Sequence, residues 1–276
     1  MNTLYIVPTP IGNLEDITLR GLRILREVRL IAAEDTRTTR KLLARYEIPT
    51  PLTSYHEHNK LTKLDTIFDA LAVGDVALVS DAGTPGISDP GFELIREAIA
   101  RQVIIVPLPG PSAAVTALIA SGLPTDSYVY LGFLPRKPKA LRDALVALVG
   151  ERRTLVVYES PNRLIETLAA VAETLGDRPV AVARELTKIH EEVRRGPVRD
   201  VLAYYAAHEP RGEVCIVIGG APESTGGESW DEPRVLEALR VRLEAGESRS
   251  QAVKAVAAES GWARRVVYDL SNSLEI

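Results

Sequence analysis

The sequence predicts an α/β protein built in two halves, followed by a small all-helical C-terminal domain. Three observations carry this. Apolar strand-like runs alternate with runs of helical period over the first 219 residues, the pattern of parallel strands joined by crossover helices. A proline- and glycine-rich joint, LPGP at 108–111, divides that stretch about equally. Beyond GGAPESTGGESWDEP, at 219–233, only helical patterning remains. The expected domains are 1–110, 111–219 and 234–276, with 220–233 as linker.

In chain order the strand candidates are Leu4–Val7, Leu30–Ala33, Val76–Ser80 and Val103–Pro107 in the first half. The second half has Tyr128–Gly132, Thr154–Tyr158, Val180–Ala183 and Glu213–Ile218. Each is a short apolar run of the kind a sheet covered on both faces requires. Between them, ITLRGLRILREV places Leu19, Leu22, Leu25 and Val28 near helical spacing, and KLLARY repeats the pattern. In the tail, SRSQAVKAVAAESGWARRVVYDL reads as two helices parted by Ser260-Gly261. This is helix–turn–helix spacing, with Ala252, Val253, Val256 and Ala257 toward a core and Arg264 and Arg265 opening the second helix.

The 276 residues are 46% apolar and 25% charged, ordinary globular composition and ample for a real core. No apolar run approaches the roughly 18 residues of a membrane span, and MNTLYIVPTP lacks the basic start of a signal peptide. The single cysteine, Cys215, lies in a strand-like run with no intrachain partner, so a reducing, cytoplasmic setting and a buried structural thiol are expected. Net charge is −4 and gives no overall case for a nucleic-acid partner. Locally, residues 134–153 carry six basic side chains (Arg136, Lys137, Lys139, Arg142, Arg152, Arg153) against two acidic, and 233–265 carry seven against four. Such stretches are commonly solvated faces, and they also suit contact with a phosphate backbone.

Chemistry concentrates at strand ends. PTPIGN (8–13), SDAGTPGISDPG (80–91) and LPGPSAA (108–114) each follow a strand candidate. In open α/β sheets, ligands bind outside the carboxyl ends of strands. Prolines here replace the glycines whose N–H groups would cradle a phosphate. A rigid pocket of carbonyls, small side chains and the hydroxyls of Thr84, Ser88 and Ser112 suits an uncharged adenosine with an amino-acid tail. No GxxxxGK[ST] loop and no GxSxG elbow occurs. His56 and His58 alternate in SYHEHNK, but hydrogen bonding within a loop accounts for them better than a metal, and no metal site is expected.

Eight blocks in order, LYIVPTPIGNLEDIT, LIAAEDTR, SYHEHN, LVSDAGTPGISDPG, PLPGPSAA, GFLPRK, YESPNRL and ARELTK, resemble the ribosomal RNA small subunit methyltransferase I family of the tetrapyrrole methylase superfamily. The resemblance runs from Leu4 to about Gly219 and loosens in the tail. It implies an S-adenosylmethionine cleft between the two α/β halves and 2′-O-methylation of cytidine 1402 of 16S rRNA within the small ribosomal subunit. It also implies a homodimer. The superfamily's first loop is typically GxGPG; Pro8-Thr9-Pro10-Ile11-Gly12 departs from it and disfavours the precorrin branch.

The family's cofactor contacts fall on Ile11, Gly83, Thr84, Ile87, Ser112, Ala113, Glu159, Leu186 and Glu213. For taking a proton from a ribose hydroxyl the candidates are Glu159, Glu185, Lys188 and Asp35, with Glu185 and Lys188 spaced i, i+3. Arg37, Arg184, Arg136, Lys137, Arg264 and Arg265 are the candidates for RNA phosphate. Each charged residue has a structural ion pair as its plainer role. Two other functions are weighed: methylation of a tetrapyrrole carbon, and ribosome assembly without catalysis.

Overall fold

The computed structural model describes residues 2–59, 61–222, 230–260, 262 and 264–274. Contacts divide the chain into two compact units, Met1–Gly220 and Ala221–Ile276. The first holds two five-stranded sheets.

The first sheet is built from β1 (Thr3–Ile6), α1 (Leu19–Glu27), β2 (Leu30–Ala33), α2 (Thr36–Arg45), β3 (Leu52–Ser54), α3 (Leu64–Val73), β4 (Val76–Val79), α4 (Phe92–Ala100) and β5 (Ile104–Pro107). Its order is β3-β2-β4-β1-β5 and every pair is parallel. All of β4, VALV, is buried, as a central strand covered on both faces must be. The helices begin where the sequence caps them. Thr18 accepts from the Gly21 N–H at the start of α1, and Asp35 accepts from the Arg37 N–H at the start of α2. The chain runs from β1 out to β2 and β3, and later crosses β1 to reach β5. The order therefore reverses beside β1, where ligand crevices form in open sheets.

The second sheet contains α5 (Ala113–Ser121), β6 (Tyr128–Phe133), α6 (Pro138–Val146), β7 (Thr154–Glu159), α7 (Leu164–Thr174), β8 (Pro179–Arg184), β9 (Glu192–Pro197), α8 (Val198–Ala207) and β10 (Val214–Ile218). Its order is β6-β7-β10-β8-β9. The expectation of largely parallel strands fails here. Only β6 and β7 pair in parallel, and the other three ladders are antiparallel. The cause is one reversal between β8 and β9. Each strand–helix–strand step remains parallel in direction, but β10 inserts between β7 and β8 and opposes both.

Two strands carry no apolar run and were not expected. β3 is three residues long after Pro51, and β9, EVRRGP, is a polar edge strand. In the second unit, α9 (Glu232–Glu244), α10 (Arg249–Ser260) and α11 (Arg264–Asn272) enclose a core of Val235, Leu239, Ala252, Val253, Val256 and Val267. Half of the expected linker, residues 223–229, and Gly261 of the expected turn lie outside the described residues. Among the described residues, no helix is long and apolar enough to cross a membrane.

Candidate active site

The three punctuated loops gather at the carboxyl ends of β1, β4 and β5. The first loop is fastened to the second by a pair of bonds, Thr9 N–H to Gly83 O and Gly83 N–H to Thr9 O, both 2.9 Å. Thr9 Oγ1 also donates to Ser80 O at 3.0 Å. The third loop closes against both. A Cβ on Gly110 would lie 2.7 Å from Pro8 Cβ, and Thr84 Oγ1 donates to Pro111 O at 3.2 Å. Close approach, more than turn formation, is what requires glycine at position 110.

Across from these loops lie the ends of β7 and β8 and the start of β10. Together they enclose a cavity of about 360 Å³ between the two sheets, within the usual range for small-ligand sites. All the cofactor candidates line it: Ile11, Gly83, Thr84, Ile87, Ser112, Ala113, Glu159, Leu186 and Glu213. So do Ser88, Asp89, Tyr158 and Cys215. Among the described residues, the lining holds three carboxylates (Asp89, Glu159, Glu213) and no lysine or arginine. This is a site for an apolar, hydroxyl-bearing ligand whose net charge is not negative. Among the described residues, no group of three or more His, Cys, Asp or Glu is placed to hold a metal ion.

The halves are joined at the cavity by hydroxyls. Ser88 Oγ and Tyr130 Oη are 2.6 Å apart, and Tyr130 bonds in turn to Tyr158. The Tyr158 hydroxyl accepts the Ala114 N–H at 3.1 Å. Burial raises the pKa of both phenols, so they serve as neutral donors and acceptors. Burial likewise pushes the Cys215 thiol up to about 12, which leaves it protonated and unreactive.

The four proton-transfer candidates are all engaged. Glu159 is 3% exposed. Its carboxylate accepts from the Ser160 N–H (2.8 Å) and Thr167 Oγ1 (2.7 Å), and it faces Arg163 at 3.4 Å. Glu185 accepts from Lys188 Nζ at 2.8 Å and from the Glu213 N–H at 3.0 Å. The lysine bond and burial oppose each other, and the bond prevails, so the pKa of Glu185 falls. Burial pulls the Lys188 ammonium down, but Glu185 and Glu213 outweigh it and the pKa rises. Lys188 therefore stays charged. Its Nζ reaches Glu213 at 3.2 Å, fixing that carboxylate at the rim. Asp35 caps α2, and its bonds to the Arg37 side chain hold its carboxyl at about 2.

Of the cations assigned to RNA, Arg37 pairs with Asp35 at 2.6 Å, while its side chain stays 84% exposed. Arg184 is spent within the second half, on Glu192 (2.9 Å) and Arg211 O (3.2 Å). Arg136 and Lys137 are exposed just before α6, and Arg264 and Arg265 are exposed at the start of α11. Asp89 was not picked out from the sequence, where SDPG reads as turn punctuation. His56 and His58 lie with ring centroids 6.1 Å apart, and the His56 N–H donates to Asn59 Oδ1 at 2.8 Å.

The fold and this cavity define a class. Residues 3–202 match the family described as Tetrapyrrole (Corrin/Porphyrin) Methylases. The relatives narrow it further. The ribosomal RNA small subunit methyltransferase I of Halalkalibacterium halodurans is 45% identical over 97% of this chain and 94% of its own length. That of Synechocystis sp. is 46% identical over 100% and 99%. The chain belongs to the tetrapyrrole methylases and, within them, to the ribosomal RNA small subunit methyltransferase I family. Among solved structures it is similar in fold to the uroporphyrin-III C-methyltransferase of Thermus thermophilus in complex with S-adenosyl homocysteine. That match has a TM-score of 0.56 at 20% identity, covering 79% of this chain and 97% of the other.

Proposed function

We propose that this protein transfers a methyl group from S-adenosylmethionine to the 2′-hydroxyl of cytidine 1402 in 16S rRNA. The observation that carries the reading is the cavity's lining, which is apolar and hydroxyl-bearing, with carboxylates and no cation among the described residues. It fits an adenosine joined to a positively charged sulfur and disfavours a polyphosphate. The relatives' name supplies the RNA.

Ile11, Gly83, Thr84 and Ile87 from the first half, with Ser112, Ala113, Glu159, Leu186 and Glu213 from the second, would hold the cofactor. When bound, S-adenosylmethionine supplies a methyl group attached to a sulfonium and already prone to displacement. The remaining catalysis is alignment of an incoming hydroxyl with that methyl, worth up to ~7–11 kcal/mol for well-oriented reactants. Glu159, fixed by Ser160, Thr167 and Arg163, gives the cavity a rigid wall. The Glu185–Lys188 pair positions Glu213 at the rim. Arg37, Arg136, Lys137, Arg264 and Arg265 offer exposed charge to RNA phosphates, and the reading includes a homodimer acting in the cytoplasm.

The test is methyl transfer from labelled S-adenosylmethionine to three acceptors: small subunits from cells lacking the enzyme, free 16S rRNA, and a precorrin mixture. Label on a 2′-O-methylcytidine in the subunits is the expected result. Label only on precorrin would replace the reading with carbon methylation. Cofactor binding without transfer to any acceptor would replace it with an assembly role. Light scattering tests the dimer.

A further inference from the structure

Glu159, Glu185, Lys188 and Asp35 leave the proton of an attacking hydroxyl without a free acceptor. Lys188 stays protonated, Asp35 and Glu185 are weakened as bases by their cations, and Glu159 is held by Ser160 and Thr167 and faces Arg163. Glu213 is paired to Lys188. One carboxylate in the cavity wall differs from the rest. Among the described residues, Asp89 is the cavity-lining carboxylate without a cationic partner.

Its loop is shaped to present it. Gly86, Ser88 and Gly91 have φ of +84°, +62° and +156°, and a Cβ on Gly91 would fall 3.0 Å from Gly86 N, so the loop folds tightly back on itself. Ser88, with no glycine's freedom, stays left-handed while its hydroxyl is held by Tyr130 across the cavity. Strain of this kind persists where surrounding structure enforces it.

We propose that Asp89 accepts the proton of the attacking 2′-hydroxyl. This rests on the methyl-transfer reading above. The hydroxyl O–H bond breaks as the O–CH₃ bond forms, and the bond between methyl and sulfur breaks with its electron pair left on sulfur. The products are a methyl ether, a neutral thioether and a protonated Asp89, which returns its proton to water.

The surroundings of Asp89 suit the task. Burial, then the like charge of Glu34 at the end of β2, push its carboxyl up to about 7. A hydrogen bond with Ser80 pulls the other way, and Asp81 at the end of β4 adds repulsion. The charge of Asp89 is felt by Tyr130 on β6, a neutral phenol. A base with its pKa near the working pH is the effective kind.

The experiment compares wild type, Asp89→Asn and Asp89→Glu. Cofactor affinity is measured by calorimetry, and single-turnover methylation of unmodified small subunits is followed from pH 5.5 to 9. Wild type should rise with pH through about 7 to a plateau. D89N should bind S-adenosylmethionine within about threefold of wild type, yet lose on the order of 10²-fold or more in rate together with the pH-dependent rise. D89E should recover part of both. A D89N rate within about tenfold of wild type, or an unchanged profile, would overturn the proposal. Lost cofactor affinity would overturn it as well, making Asp89 a binding group. A wild type that methylates no subunit would overturn the reaction itself, an outcome distinct from any defect confined to D89N.

Discussion

Ser88 Oγ and Tyr130 Oη, 2.6 Å apart, tie the second loop of the first half to β6 of the second. A hydrogen bond of this kind contributes about 1 kcal/mol net. Tyr130→Phe should therefore lower the stability of the fold by about that much, a fall in Tm of about 2–4 °C. A double-mutant cycle with Ser88→Ala should return a coupling near that value. Additive losses would mean that the contact carries no energy.

Glu159 is an anchor of the cavity wall, and its loss should be felt as stability. Arg163, 3.4 Å away, has a side chain only 18% exposed and also donates to Leu134 O and Pro135 O. Removing the carboxylate leaves that guanidinium under-compensated, at a cost of about 3 kcal/mol. For a chain of this length, Glu159→Ala should lower Tm by about 6–12 °C in calorimetry. A drop of a degree or two would show that Arg163 is satisfied by the carbonyls alone.

The raised carboxyl of Asp89 has a thermodynamic signature independent of catalysis. Its folded-state value, about 7, lies above the ordinary 3.8, so the folded protein binds more protons than the unfolded chain between those values. Its contribution to stability is full below about 4 and is lost as pH rises through about 7. Asp89→Asn should lie closest to wild type in Tm near pH 4 and exceed it by a widening margin up to pH 8. A constant offset at both pH values would contradict this sign.

The first loop and the 185–191 segment pack without space between them. A Cβ on Gly12 would lie 2.6 Å from Lys188 Cγ, 2.7 Å from Thr187 Oγ1 and 2.9 Å from Leu186 O. Gly12→Ala must push the backbone that carries Leu186 off the cavity, an overpacking cost of about 1–3 kcal/mol. Titration calorimetry should show cofactor affinity reduced about tenfold or more. Gly150→Ala, whose added carbon meets nothing within 4 Å, is the control and should bind normally.

The exposed pair Arg264 and Arg265 should act on RNA alone. Reversing both to glutamate should leave S-adenosylmethionine affinity unchanged and weaken binding to small subunits. The slope of log affinity against log salt should fall by about two, one for each lost phosphate contact. An unchanged slope would place RNA contact elsewhere.

The cavity was legible in the sequence because its makers are abrupt. Prolines and glycines stop apolar runs at 8–12, 82–91 and 108–111, and the sheet then has to bring those ends together. What stayed hidden depends on distant partners. β9, EVRRGP, has no apolar period because it is an edge strand with its residues half-buried or exposed. The insertion of β10 between β7 and β8 leaves no mark on any local pattern. Asp89 reads as a turn residue until Glu34, from the end of β2, is seen beside it together with Ser80 and Asp81 of its own loop.

The double bond between Thr9 and Gly83 has a consequence for selection among cellular adenine compounds. Two N–H groups that a nucleotide loop would turn toward phosphate are committed to one another's carbonyls, and the prolines beside them offer none. With carboxylates and no cation among the described residues around the ligand, a triphosphate would meet repulsion and no charge to offset it. The protein can thus work in an abundance of ATP without a gate to keep it out. The competitor it has no means of refusing is its own spent cofactor, which shares the adenosine and the amino-acid tail.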